Sequence, residues 1–386
     1  MFILIKKNKY MRYGSSVLTI IYMATFEEIF LYKLNLLNRL LTINFMTNNS
    51  SIFNQFGKTI FITGANSGIG FYSVIKFLET KNYLYVPIRS KIRKDSFIND
   101  LKNFYSESYL KKYLKIISDI DLGNLENISN LEEFFVNKSV KFDIFILNAG
   151  LQYTGALYPK VSKQGIELTF AVNHLAHFYI INLLNSIIKD SSESRIIITS
   201  SDVHNPKSSG GNIGEKAGLN NLNNLKEEIM GNFKNFNADK SYKNSKLCNI
   251  LFAKELSNRL RIKKRKISVI TWAPGLVFPE KGLGFFRYSS KFNKSGYIIF
   301  STIASKLLGI SESVQDAGSL LYKIAMDKNY NNIDYLHLSN QLISLRKHKL
   351  SVTDVSEEAS DPKLATKLWE FSTDLCNSFG VTPINL

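Results

Sequence analysis

The sequence predicts a doubly wound α/β fold, in which one parallel sheet is covered by helices on both faces. Three observations carry this. Six short apolar runs recur from Lys58 onward. Stretches of helical periodicity separate most of them. A glycine cluster follows the first run directly and opens a helix-like segment. Short continuous apolar strands suit a sheet buried on both sides. Right-handed crossovers then distribute the helices over the two faces.

The elements follow in order. Residues 59–62 are the first strand, and the glycines lead into a helix over 72–78. Strands are predicted at 83–87, 113–117, 142–147, 195–199 and 267–271. Helices are predicted at 127–137, 165–185 and 243–260. Together they make a single Rossmann-like domain over residues 57–386, after an N-terminal extension at 1–56. The polar stretch 205–239 reads as an insertion, since a connection of that length inside a domain is usually functional or mobile.

Composition sets the outer bounds. Hydrophobic residues make up 45% and charged residues 21%, as in ordinary globular proteins, so disordered and fibrous classes are excluded. The formal net charge is +17, but the basic residues are spread along the chain, densest at 261–266. This reads as a solvated basic surface with no nucleic-acid partner. A general attraction to anions accompanies it, whether a phosphorylated cofactor or a peripheral contact with a membrane surface. Assembly into a homo-oligomer is left open. Two cysteines, Cys248 and Cys376, build neither a disulfide framework nor a metal site, and no metal is expected. Residues 15–45 are apolar-rich, but Glu27, Glu28, Lys33 and Arg39 interrupt them before any run of about 18 apolar residues accumulates. An over-extended start ahead of Met46, or a helical or unstructured extension, is favoured over a membrane anchor.

Thr63-Gly-Ala-Asn-Ser-Gly-Ile-Gly70 lies between a strand and a helix. Gly64, Gly68 and Gly70 permit a tight turn and bring a pyrophosphate close to the helix N-terminus. Asn66, Ser67 and Ile69 complete the candidate dinucleotide cradle. An acidic residue at the end of the second strand would bind the ribose 2′-hydroxyl of NAD. Arg89, Ser90 and Lys91 stand there instead, with Arg93 and Lys94 nearby, and cations suit the 2′-phosphate of NADPH.

Tyr242 and Lys246 are four apart on a predicted helix and share a face. A nearby ammonium is expected to lower the phenol pKa, and the pair can deliver a proton while a nicotinamide delivers hydride. Asn148-Ala149-Gly150 and Ser200-Ser201 follow the fourth and fifth strands, at the carboxyl ends where open α/β sheets bind ligands.

These motifs resemble the short-chain dehydrogenase/reductase family over about residues 57 to 280, through 63–70, Asp121-Leu122, Asn148 to Gly150, Asn173, Ser201, Tyr242, Lys246 and Pro274-Gly275. The resemblance implies that Tyr242 is the proton donor and Lys246 its partner and a cofactor ribose ligand. Ser201 would orient substrate, and Asn173 would support a proton-relay water. Asp121 and Leu122 would lie near the adenine, with Asn148, Ala149, Gly150, Pro274 and Gly275 beside the cofactor.

The chain also looks like one branch of that family, the light-dependent protochlorophyllide reductases. The similarity lies in 172–178, 241–249 and 356–361 with Trp369, and in the insertion before Tyr242. It implies NADPH-dependent reduction of a tetrapyrrole C=C bond, a protochlorophyllide substrate and a place in chlorophyll biosynthesis and photosynthesis. It also implies a cytoplasmic protein that lies peripherally at a thylakoid membrane. Leu147, Gly150, Ala273 and the segment 276–281 depart from the branch pattern and line or border the pocket. A dark NADPH-dependent carbonyl reductase acting on a lipophilic small molecule is therefore the alternative.

Cys248 is assigned to the substrate side by the same resemblance. Helix geometry places it roughly 120° around from Tyr242, so a buried apolar role competes. His174 and His177 can face an acidic substrate group or pack within the helix. Tyr153 and the Phe285, Phe286 and Tyr288 group can wall a flat apolar substrate or pack in the core.

Overall fold

The computed structural model describes residues 57–153, 155–231, 233, 236–278, 298 and 310–382. The 1–56 extension lies outside the described residues. Chain order begins β1 (Thr59–Ile62), α1 (Gly68–Glu79), β2 (Tyr83–Ile88), α2 (Lys91–Lys102), α3 (Glu107–Tyr113), β3 (Leu114–Ser118), α4 (Leu125–Val136) and β4 (Ile144–Leu147). One long helical stretch follows, composed of α5 (Leu168–Phe170), a π-helical turn (Ala171–Leu175) and α6 (Ala176–Leu184). Then come β5 (Ser194–Thr199), α7 (Leu225–Met230), α8 (Ala238–Ile262), β6 (Ile267–Ala273), α9 (Val314–Met326), β7 (Tyr335–Ser344), β8 (Lys347–Val352) and α10 (Pro362–Ser378).

The strands form one sheet in the order β3-β2-β1-β4-β5-β6-β7-β8. The first seven are parallel, and β8 turns back antiparallel on β7. The doubly wound prediction holds, with two strands more than the six expected. β7 reads poorly as a strand because it buries polar residues, His337, Ser339 and Asn340. β8 is a charged edge, and its exposed lysines interrupt any apolar pattern. The long 205–239 segment contains α7 and one short 3-10 turn, Asn220–Leu222, rather than a bare loop.

Alternate residues of the same strands point to opposite faces. Phe61, Phe145, Ile196, Ile198 and Val269 join a core layer with α4, α6, α8 and α10. Ile60, Ile62, Ile144, Ile146, Ile197 and Ile270 join the other layer with α1, α2 and α9. Each such side chain, fully withdrawn from water, contributes roughly 1.5–3 kcal/mol. Helix ends are set locally. Asn237 caps α8 by accepting from Asp239 N and Lys240 N, each at 2.9 Å. Asp361 caps α10, with Pro362 at its first position. A side chain at Gly318 of α9 would come within 2.6 Å of Tyr72 Cβ on α1, so glycine sets how closely these helices pack.

The strand order reverses between β1 and β4. The crevice at their carboxyl ends is the place where this topology binds ligands. Among the described residues, no helix is long and apolar enough to cross a membrane.

Candidate active site

A chain of side-chain hydrogen bonds stitches together the carboxyl ends of four strands. The Trp272 indole N–H on β6 donates to Thr199 Oγ1 at 3.0 Å. Thr199 at the end of β5 donates to Asn148 Oδ1 at 3.3 Å. Asn148 Nδ2 donates to the Thr63 carbonyl at 3.3 Å. Thr63 Oγ1 in turn accepts the backbone N–H groups of Asn148 and Ala149, both at 3.0 Å. With both acceptor positions filled, its single hydroxyl proton goes to His177 Nε2 at 3.0 Å. His177 must therefore carry its proton on Nδ1, which donates to the Asn173 carbonyl at 3.1 Å. Burial holds this ring neutral, pushing its pKa down to about 3. His177 is thus a strut between the glycine turn and Asn173.

The glycine turn has the expected form. Gly64 has φ +67°, and a Cβ there would stand 2.7 Å from Ala149 Cα. A Cβ at Gly70 would strike the Gly64 carbonyl oxygen. At Gly68, φ is +56° and an added Cβ meets nothing within 4 Å, so the first turn of α1 borders open space. Ser67 begins that helix without a side-chain cap, and its first turn holds no acidic residue. Asn66, Ser67 and Ile69 are half-buried around the same opening. Uncapped N–H groups beside open space fit a pyrophosphate. Arg89 is exposed at the end of β2, and α2 then begins with Lys91, Arg93 and Lys94 and no acidic residue in its first turn. Cations at a helix N-terminus are unfavourable without an anion to meet them. Beyond β3, Asp121 Oδ1 accepts Gly123 N at 3.0 Å, and half-buried Leu122 packs on the core.

Tyr242, Lys246 and Asn173 meet beside this opening, with Ser201 completing the group. A side-chain hydrogen bond links Ser201 to the Tyr242 phenol. Lys246 Nζ donates to the Thr199 carbonyl at 3.0 Å and lies 5.7 Å from the centre of the Tyr242 ring. A Cβ at Gly150 would lie 3.4 Å from Asn173 Oδ1 and 3.6 Å from Lys246 Nζ, so glycine keeps this corner open. Asn173 sits in the π-helical turn, fully buried. It donates to Leu151 O and Ser245 Oγ, each at 3.0 Å, and accepts Leu151 N at 2.8 Å. Ser245 donates to the Tyr242 carbonyl at 2.7 Å.

The expected lowering of the Tyr242 pKa does not occur in this arrangement. Burial dominates and raises it, with Ser201 pulling it down and Asp239 pushing it up. Lys246 is itself buried, and its pKa falls to about 7. An amine at the edge of its charged range does little to stabilise a phenolate.

The structure also places the residues that carried two readings. Cys248 is fully buried in the apolar layer, and burial pushes its thiol up, with Glu358 and Glu228 as its charged neighbours rather than the Tyr242 group. This placement agrees with the buried apolar role that the helix angle suggests. His174 packs among Phe170, Phe178 and Phe252 and bonds Ser372 Oγ at 3.1 Å, so it faces core rather than substrate. Tyr153 is buried with its phenol on the Glu167 carboxylate and its ring stacked on Phe236. Phe285, Phe286 and Tyr288 lie outside the described residues. Pro274 and Gly275 follow β6, where Asn340 Nδ2 holds the Pro274 carbonyl at 3.3 Å and Gly275 adopts φ +81°.

Residues 58–213 match the short chain dehydrogenase family. The chain is 35% identical to the WW domain-containing oxidoreductase of Gallus gallus over 207 residues, 53% of this chain and 45% of that protein. The chain spans about half the length of the WW domain-containing oxidoreductases it matches. It is 27% identical to the protochlorophyllide reductase of Avena sativa over 327 residues, 82% of this chain and 98% of that protein. Among solved structures, L-sorbose reductase from Gluconobacter frateurii, complexed with NADPH and L-sorbose, superposes with a TM-score of 0.52 at 14% identity, covering 76% of this chain and 97% of that one. The family these comparisons support is the short-chain dehydrogenases/reductases.

Thr199, Trp272 and His177 act here through bonds that the strand pattern does not announce. The one local signal is a run of hydroxyl residues, Thr199-Ser200-Ser201, at the end of a strand.

Proposed function

We propose that the protein is an NADPH-dependent oxidoreductase that reduces a carbonyl group on a lipophilic small molecule. The observation that carries this reading is the hydrogen-bonded pair of hydroxyls, Ser201 and Tyr242, beside Lys246. Two converging O–H groups suit one oxygen acceptor, which a carbonyl has and the carbons of an alkene lack. Residues 57–386 form the reductase domain in this reading, with 205–239 as its substrate-side insertion.

NADPH would be held by the 64–70 turn, Asp121, Asn148 to Gly150 and the Pro274-Gly275 turn, with Arg89 and its neighbouring cations on the 2′-phosphate. Bound there, it supplies hydride to the carbonyl carbon. Ser201 orients the substrate oxygen. Tyr242, a phenol protonated at neutral pH and held so more firmly by burial, gives that oxygen its proton. Lys246, near half-protonated at neutral pH, returns a proton toward Tyr242, and Asn173 fixes the backbone around this path.

The test is a panel of lipophilic aldehydes and ketones with NADPH in darkness. Turnover that produces the alcohol supports the reading, and inactivity across the panel with NADPH bound would sink it.

A second reading is light-driven reduction of a protochlorophyllide-like tetrapyrrole. It is favoured by the relatives of that name, whose similarity spans 82% of this chain. Flash absorbance with NADPH and protochlorophyllide tests it. Bound pigment without a light-dependent red shift would exclude it.

A further inference from the structure

The turn at residues 356–361, set apart in the sequence by its likeness to one branch of the family, touches two parts of the site at once. His204 lies in the 3-10 turn that follows Ser201 and is 1% exposed. Its Nδ1 bonds the Ser201 carbonyl at 2.7 Å, and its Nε2 bonds the backbone N–H of Ser356 at 3.2 Å. A carbonyl only accepts and an N–H only donates, so a single neutral tautomer satisfies both. Burial keeps the ring neutral, with a pKa near 4. Within the turn, Ser356 Oγ accepts Ala359 N at 3.2 Å, and Ser360 Oγ donates back to Ser356 O at 3.0 Å.

The second contact reaches the insertion. Glu358 Oε1 accepts Leu219 N at 2.8 Å. The adjacent Gly218 N donates to Asn244 Oδ1 at 2.9 Å, two residues from Tyr242. Lys367 of α10 holds Asn221 Oδ1 at 2.9 Å. Residues 218–221 are thus gripped from the Tyr242 helix on one side and from the C-terminal turn and α10 on the other.

We propose that the 356–361 turn is a brace, setting Ser201 through His204 and the substrate-side insertion through Glu358. His204 is then a positioning residue for the reaction and Glu358 one for substrate fit. The catalytic half of this assignment rests on the carbonyl-reductase reading.

The two arms separate by substitution in the full chain. In His204→Asn the amide nitrogen stands near the former Nδ1 and keeps the bond to Ser201 O. In His204→Gln the longer amide reaches toward Ser356 and gives up Ser201. Displacing Ser201 should lower kcat about tenfold or more in His204→Gln, with a smaller loss in His204→Asn and KM little changed in both. Glu358→Ala should raise KM for a bulky ketone and leave kcat and NADPH affinity unchanged. Glu358→Gln, whose side-chain carbonyl accepts the same N–H, should restore KM.

Hydrogen exchange reads the brace without any substrate. The amides of residues 218–221 should exchange faster in Glu358→Ala and at the native rate in Glu358→Gln. Unchanged exchange in Glu358→Ala overturns the brace. So does a pattern in which both arms shift kcat and KM alike, or in which Glu358→Gln is as impaired as Glu358→Ala. If the native protein reduces none of the ketones, the reductase reading fails, while the exchange result still decides the brace.

Discussion

The Lys246 ammonium donates to the carbonyl oxygen of Thr199 at 3.0 Å, on the strand end whose side chain also accepts the Trp272 indole. One residue thereby aims the site's cation and ties β5 to β6. The aim is obtained against burial, which favours the neutral amine and lowers its pKa to about 7.

That cost has a sign. The folded-state pKa lies below the unfolded value near 10.5, so between about pH 7 and 10.5 the unfolded chain binds the extra proton and stability from this group rises with pH. Lys246→Met removes a desolvated charge. Its Tm should equal or exceed the native Tm at pH 6, while kcat falls by roughly 10²-fold or more. Scanning calorimetry at pH 6 and 9, beside a dark activity assay, checks both halves. A clear loss of Tm at pH 6 would show that the Thr199 bond outweighs the burial cost.

Thr63→Val should be destabilising out of proportion to its size. It leaves two N–H groups and His177 Nε2 without the shared hydroxyl, at roughly 1–3 kcal/mol for each buried group stranded. Thr63→Ser keeps the hydroxyl and should stay close to native. Urea unfolding of the two variants makes the comparison.

The glycines of the turn should differ in kind. Gly64→Ala drives a methyl into Ala149 and should cost both stability and NADPH affinity. Gly68→Ala meets open space, so its cost should be limited to the left-handed backbone, about 1–2 kcal/mol. NADPH fluorescence titration and thermal melts of both variants distinguish a steric role from a conformational one.

Cys248→Ala should leave KM and kcat nearly native and lower stability by about 1–3 kcal/mol, as expected when a buried side chain is trimmed. A large fall in kcat at unchanged stability would return Cys248 to the substrate side.

Most of this was legible in the sequence, for physical reasons. Parallel strands buried on both faces, such as Ile144 to Leu147, are unbroken apolar runs and identify themselves. The Asn173, Ser201, Tyr242 and Lys246 group was legible because the fold gathers strand ends and their following helices in one crevice. β7 and β8 were not, because His337, Ser339 and Asn340 are polar yet buried, and Lys347 and Lys349 lie on an exposed edge. The roles of Trp272, His204 and Glu358 rest on single bonds to residues distant in the chain, which no local spacing encodes. For Cys248 the resemblance and the helical angle pointed to different roles, and its burial in the apolar layer agrees with the angle.

The most direct test of the central claim is NADPH oxidation in darkness with the best lipophilic ketone, in the native protein and in Tyr242→Phe. Turnover to the alcohol is expected in the native protein, with a loss of roughly 10²–10⁴-fold in kcat in the variant and NADPH affinity retained. Equal turnover in the two, or reduction that appears only under illumination, would contradict it.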